Sequence, residues 1–301
     1  MVEVCVYESD HLSGVHALYS ELTVGQVPHC WPVTAALMDA SLREGAIDHE
    51  RAALQAQTVL VALDKCAIAG FIHLGHQAAD SGNDAYVVIR FFAYRRGQRH
   101  VGDALLVAAE SWMQGRGLKQ SKVMPQPWRY PFYGFPHSYM SDHLDHIQAL
   151  LRYRGFNKSG GEVFLDWLDM QPVKVSDSSG FNYELQVEDS PGAGRLPGLK
   201  VRAMKGDAQI GQCLLDSGAE SSTADEAHEF AFCNILGVEE SYQGSGLGRF
   251  LLAHAMCLAK ERGYRHGAIS TAYDNDRTFL FYSNHGFRVA DWTYEFTRNF
   301  G

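Results

Sequence analysis

With 301 residues the chain is long enough for two ordinary domains, and a composition of 46% hydrophobic, 20% charged and 12% aromatic residues excludes disorder and fibrous repeats. A formal charge of −9 argues against nonspecific nucleic-acid binding, which needs clustered Lys and Arg against phosphates, and suits a cationic or neutral acceptor. Six scattered cysteines without a C-x-x-C pair exclude a zinc cage or disulfide framework, while the lack of a long apolar run and of a cationic export signal leads us to expect a cytoplasmic protein without a membrane partner.

In chain order, the strand-like start MVEVCVYESD is followed by two expected helices near 9–22 and 32–44, then by strands over about 58–75. AYVVIRFFAY at 85–94 reads as a strand and VGDALLVAAESWMQGRGL at 101–118 as an amphipathic helix with a basic last turn and a glycine stop. Another strand is expected around 122–125. The aromatic, proline-rich run PQPWRYPFYGFPHSYMSDHLDH comes next, an insertion of a length that is more often functional than filler, and we assign it to the wall of an acceptor pocket. His143 and His146 within it have H-x-x-H spacing but no further ligands at metal spacing, so they read as a solvated helical face and no metal is expected. A helix ending Arg154-Gly155-Phe156 and the strand EVFLDWLDM close this half.

MQPVKVSDSSG at 170–180 has the Pro, Ser and Gly content of a linker. The expected domains are therefore 1–170 and 181–301. In the second, strands joined by PGAGRLPG lead to EFAFCNILGV at 229–238, a helix at 247–264, a strand near 268–271, a helix ending His285-Gly286-Phe287, and the strand WTYEFTRNF. The helix LGRFLLAHAMCLAKERGY matches VGDALLVAAESWMQGRGL without gaps at an offset of 146 positions, pairing Gly248 with Gly102 and Arg262-Gly263 with Arg116-Gly117. Each half thus repeats strand, glycine turn, helix, strand, which points to duplication of one α/β domain.

The turn Gln243-Gly244-Ser245-Gly246-Leu247-Gly248 lies between strand and helix. Glycines let such a turn curl so that several N–H groups face one anion at a positive helix end. The dinucleotide fingerprint fails, since Arg249 holds the place of its third glycine, and no G-K-S/T follows for a P-loop. A turn that joins strand to helix without any ligand is the plain alternative.

The motif Q/R-x-x-G-x-G/A, met by Gln243, Gly246 and Gly248, the preceding Leu236-Gly237-Val238 strand, and the following Asn275, Phe281-Tyr282 and Gly286-Phe287 together resemble the GCN5-related N-acetyltransferase (GNAT) superfamily in order and spacing. The resemblance implies an α/β (α+β) chain of two tandem GNAT-like domains, each a mixed, splayed, mostly antiparallel sheet flanked by helices. It implies acetyl-CoA as co-substrate, with its pantetheine arm along Leu236, Gly237 and Val238 and its diphosphate on amides of Gln243, Gly244, Ser245, Gly246, Leu247 and Gly248. Arg249 then either adds a phosphate contact or is a solvated helix charge, and Asn275 caps its helix and touches the coenzyme.

Acetyl transfer needs a base, an oxyanion donor and an acid, because an amine of reference pKa about 10.4 must lose a proton and the thiolate must gain one. Tyr282 matches the family's acid and also fits as a packed aromatic. Glu229, at the strand start, is the candidate base or a plain polar residue there, and the Val238 N–H is the candidate oxyanion donor. Direct transfer to an amine of a small molecule or peptide is expected over an acetyl-cysteine route, since nothing beside Cys233 in sequence activates it. The alternative is a non-catalytic acyl-CoA sensor or scaffold. The first domain reads as degenerate: His100 stands where the second has Gly246, Gly97 where it has Gln243, and Leu151 where it has Tyr282. Oligomeric state is left open.

Overall fold

The computed structural model describes residues 2–43, 54–79 and 84–300. They divide into two compact units, Met1–Glu162 with Asp291–Gly301, and Val163–Ala290. The expected boundary at 170–180 is a stretch without helix or strand, but the division by contacts falls earlier, inside a strand, and gives the C-terminal strand to the first unit.

The first unit runs β1 (Glu3–Val6), α1 (Leu12–Thr23), α2 (Ala35–Arg43), β2 (Ala56–Asp64), β3 (Ala67–Gln77), β4 (Tyr86–Tyr94), α3 (Arg99–Gln114), β5 (Gln120–Val123), β6 (Met140–Ser141), α4 (Asp145–Tyr153) and the start of β7 (Asn157–Trp167). Helix α2 starts later than the expected residue 32, because Thr34 acts as its cap: its Oγ1 accepts from Leu37 N at 3.2 Å. Residue 44, the expected end of that helix, lies outside the described residues. β1 to β4 are antiparallel neighbours in sequence order and β5 joins β4 in parallel. β4 is buried along its whole length. Phe91 meets Tyr19 of α1 at 5.2 Å between ring centroids, and Gly70 on β3 abuts Val101 and Leu105 of α3. The aromatic insertion completes this core: Trp128, Tyr130, Tyr133 and Phe135 are buried, and Tyr130 stacks on Phe91 at 5.7 Å.

β13 (Arg288–Asn299) pairs antiparallel with β5 and β6 and brings Asp291 to 5% exposure. Burial lifts this carboxyl to about 6, against the opposing pull of hydrogen bonds from Ser141 and the Asp142 amide and of nearby His143 and His29. A carboxyl raised above its unfolded value favours the protonated fold, so its contribution is complete below about pH 4 and is lost as pH rises through about 6, by up to about 3 kcal/mol. Asp291→Asn should therefore flatten the fall in unfolding temperature between pH 4 and 7.5. Parallel wild-type and variant curves in thermal denaturation would remove Asp291 as the cause.

The second unit runs from the end of β7 through β8 (Glu184–Ser190), β9 (Gly198–Lys205), β10 (Ala208–Ser217), β11 (Phe230–Val238), α5 (Leu247–Glu261), β12 (His266–Ala272) and α6 (Asp276–Ser283). β8 to β11 form an antiparallel meander and β12 joins β11 in parallel. Helix α5 buries Leu251, Leu252, Ala255 and Met256, and Gly211 leaves room for Leu251, whose Cδ1 would lie 2.9 Å from a β-carbon there. The β11–β12 ladder runs from Phe230↔His266 to Cys233↔Ile269 and stops, although the strands continue to Val238 and Ala272. The sheet is split from that point onward. In the first unit β5 ends at Val123, its last pair with β4, and Met124 N still donates to Ile89 O at 2.7 Å.

Candidate active site

The split in the second unit opens onto the glycine turn. Gly244 and Gly246 sit at φ 76° and 98°, left-handed values at which a β-carbon costs roughly 1–2 kcal/mol. Ser245 Oγ donates to Tyr242 O at 2.7 Å and the Gln243 side chain donates through Nε2 to Val238 O at 3.1 Å, so the turn is fixed to the end of β11. Among the described residues, no protein oxygen accepts from the amides of Gly244, Ser245, Gly246, Gly248 or Arg249. These donors surround the N-terminus of α5, where the helix dipole adds positive potential. An anion with several oxygens satisfies them together.

A cleft of about 450 Å³ lies over this turn, between Leu236 and Val238 of β11 and Asn275, Phe281 and Tyr282 around α6. Two cations line it, Arg249 and Arg277, and among the described residues neither has a carboxylate partner. Asn275 Oδ1 accepts from Thr278 N at 3.2 Å and caps α6. Tyr282 is 5% exposed and its ring packs near those of Phe281 and Phe287, at 5.5 and 6.2 Å. The structure thus brings together Leu236, Val238, Gln243, Gly244, Gly246, Gly248, Arg249, Asn275 and Tyr282. Gly237 lies between two of them on β11, and Ser245 and Leu247 complete the turn.

Glu229 is placed elsewhere. It precedes β11, four residues before the last β11–β12 pair, and its Oε2 lies 3.4 Å from both Arg265 Nη1 and His266 Nε2. Burial and the neighbouring Arg265 lower the His266 pKa, so Arg265 carries the charge opposite Glu229. Arg277 was missed by sequence reasoning, although a cation in the first turn of a helix, against the dipole, was a readable sign.

The corresponding groove of the first unit, about 300 Å³, is lined by Tyr94, Gly97, Arg99, His146, Leu150 and Tyr153 among others. Its sides are tied together: Tyr94 OH donates to His146 O at 2.8 Å, His146 Nε2 bonds Tyr94 O at 2.8 Å, and the rings meet edge-on at 5.0 Å. Arg95 pairs with Glu21, Arg96 with Asp145, and Arg99 with Asp103. Leu151, at the place of Tyr282, is fully buried.

Comparison with known proteins is consistent with this geometry. Residues 202–289 match the family model described as acetyltransferase (GNAT) domain. Over 67 residues the chain is 37% identical to a mycothiol acetyltransferase of Jonesia denitrificans, a match covering 22% of this chain and about a fifth, 21%, of that protein. Among solved structures, it is similar to the GCN5-related glucosamine N-acetyltransferase region of a fungal multi-domain β-N-acetylglucosaminidase (TM-score 0.68, 16% identity, 99% of this chain and 38% of that one). It is also similar to a tandem GNAT protein from the clavulanic acid biosynthesis pathway (TM-score 0.65, 15% identity, 100% and 99%). At these identities the structural likeness is one of fold.

Proposed function

We propose, from its place as a tandem member of the GNAT superfamily, that the second unit of this chain transfers an acetyl group from acetyl-CoA directly to an amine of a small molecule or peptide. The observation that carries this reading is the parting of β11 from β12 beyond Cys233 and Ile269, next to a turn in which, among the described residues, the amides of Gly244, Ser245, Gly246 and Gly248 lack protein acceptors. The distance also fits: from Val238 back to the split is about 16 Å at roughly 3.3 Å per residue, a span suited to an extended pantetheine arm.

In this arrangement the amides of Gly244 to Gly248, with Arg249 and Arg277, hold the phosphates. Leu236, Gly237 and Val238 line the arm with main chain that β12 no longer uses. The thioester then lies at the split, and a β11 N–H between Asn234 and Val238 stabilises charge on its carbonyl oxygen. Tyr282 protonates the leaving sulfur. The first unit, with its groove bridged by Tyr94 and His146, is the degenerate copy and takes no coenzyme.

Titration calorimetry with acetyl-CoA should give one site per chain, and a panel of small amines and peptides should yield at least one acetylated product by mass spectrometry. No detectable heat of binding removes the reading altogether; binding without any product moves the chain to a non-catalytic sensor. Arg277→Ala should weaken acetyl-CoA about tenfold, the scale of one charge-assisted hydrogen bond, and leave S-acetylpantetheine, which has no diphosphate, unaffected. An equal effect on both ligands would place Arg277 outside the phosphate site.

A further inference from the structure

On the face of the second unit's sheet opposite α5 there is a carboxylate at the split that none of the preceding roles uses. β10 alternates between buried and half-buried residues. Gly211, which abuts Leu251 of α5, and Cys213 and Leu215 belong to the buried set, so Gln212, Leu214 and Asp216 form the other face. β10 and β11 pair with a shift of register: Leu214 faces Ile235 and Leu215 faces Cys233, which leaves Asn234 as an extra residue. Asn234 is also the first residue of β11 beyond its last pair with β12. The bulge and the split therefore coincide, and Asn234 Nδ2 donates to Asp216 Oδ2 at 2.7 Å.

We propose that Asp216, braced by Asn234 at the β11 bulge, is the acceptor-side group of the site, where it binds the ammonium form of a cationic amine and takes the first proton that the nitrogen gives up. This inference rests on the acetyltransferase reading above. With the coenzyme entering from the turn at the N-terminus of α5, the acceptor is left the opposite face, where Asp216 lies beside the split, bonded to Asn234. Glu229 is about 13 Å short of Cys233 along the strand, farther than a glutamate side chain reaches, and is engaged by Arg265 and His266. A half-buried carboxylate attracts a cation more strongly than an exposed one because less water screens the pair, so charged amines are favoured over neutral hydroxyl acceptors.

The chemistry balances without another reactant. The ammonium passes one proton to the Asp216 carboxylate, and the freed lone pair forms the C–N bond at the thioester carbon. The C–S bond then breaks as sulfur takes the Tyr282 proton. The second proton of the nitrogen restores Tyr282 through solvent, the Asp216 proton goes to bulk water, and one proton is released per amide formed.

The test compares two coenzyme analogues by calorimetry, S-(2-aminoethyl)-CoA, whose ammonium occupies the place of the acceptor nitrogen, and its neutral isostere S-propyl-CoA. Wild type and Glu229→Gln should prefer the aminoethyl analogue at least tenfold. Asp216→Asn, which keeps the shape and an oxygen for Asn234, should bind S-propyl-CoA normally and lose the preference. A preference that survives in Asp216→Asn, is absent from the wild type, or vanishes in Glu229→Gln overturns the assignment. Failure of wild type to bind S-propyl-CoA instead removes the acetyltransferase reading, and the inference with it.

Discussion

Tyr282→Phe is expected to lower kcat by about 10²- to 10³-fold, within the range for loss of a general acid, while acetyl-CoA affinity stays within about twofold. The change removes one hydroxyl and keeps the ring that packs near Phe281 and Phe287, so the cleft wall survives. In the proposed arrangement the coenzyme is held mainly by main-chain amides at the N-terminus of α5 and by Arg249 and Arg277, which the substitution does not touch. What is lost is the proton for a departing sulfur whose reference thiol pKa is about 8.5. Because such a thiolate is a tolerable leaving group near neutral pH, the effect should not reach the upper end of the range. Steady-state kinetics with the acceptor found by the amine panel, combined with calorimetry, separates the two terms. If kcat holds and affinity falls, Tyr282 is a binding residue and the sulfur takes its proton from water.

The parts of this site that could be read from the sequence are those fixed by local chemistry. The turn was legible because φ values of 76° and 98° call for glycine at 244 and 246, and α5 because its apolar residues recur at helical spacing. The cap at Asn275 was legible for the same reason, being a short-range bond to Thr278. Whatever depends on which strands meet was not. Nothing in EFAFCNILGV tells that its ladder with β12 ends at Cys233 or that Asn234 is the residue left over opposite β10, since both follow from the register of partners distant in sequence. Glu229 looked available because Arg265, 36 positions away, could not be placed beside it. The aromatic insertion at 125–146 reads as a pocket wall because a long proline-rich loop is more often functional than filler, and several of its rings fill the space over β4. The last strand could not be assigned to the first unit for a similar reason: its partners β5 and β6 lie more than a hundred residues upstream.

The largest effect on binding is expected from Gly246→Trp, which should weaken acetyl-CoA at least 100-fold, about 2.7 kcal/mol or more, while His100→Trp at the matching turn of the first unit leaves affinity unchanged. Two costs combine at 246. The backbone is left-handed at φ 98°, and the added side chain projects over the amides that would face the diphosphate, toward Ser178, whose Oγ lies 2.9 Å from the position of a new β-carbon. Gly246→Ala separates them: it carries the backbone strain, roughly 1–2 kcal/mol of stability, with little bulk, so its thermal midpoint should fall while much of the affinity remains. Affinity lost equally in both variants would mean that the turn matters as a fold element and not as a cradle. At His100 the groove is already bridged by Tyr94 and His146, so no coenzyme contact is there to lose. Weakened binding in His100→Trp would reverse the assignment of the two units, because only a first unit that itself holds the coenzyme can register a change at that turn.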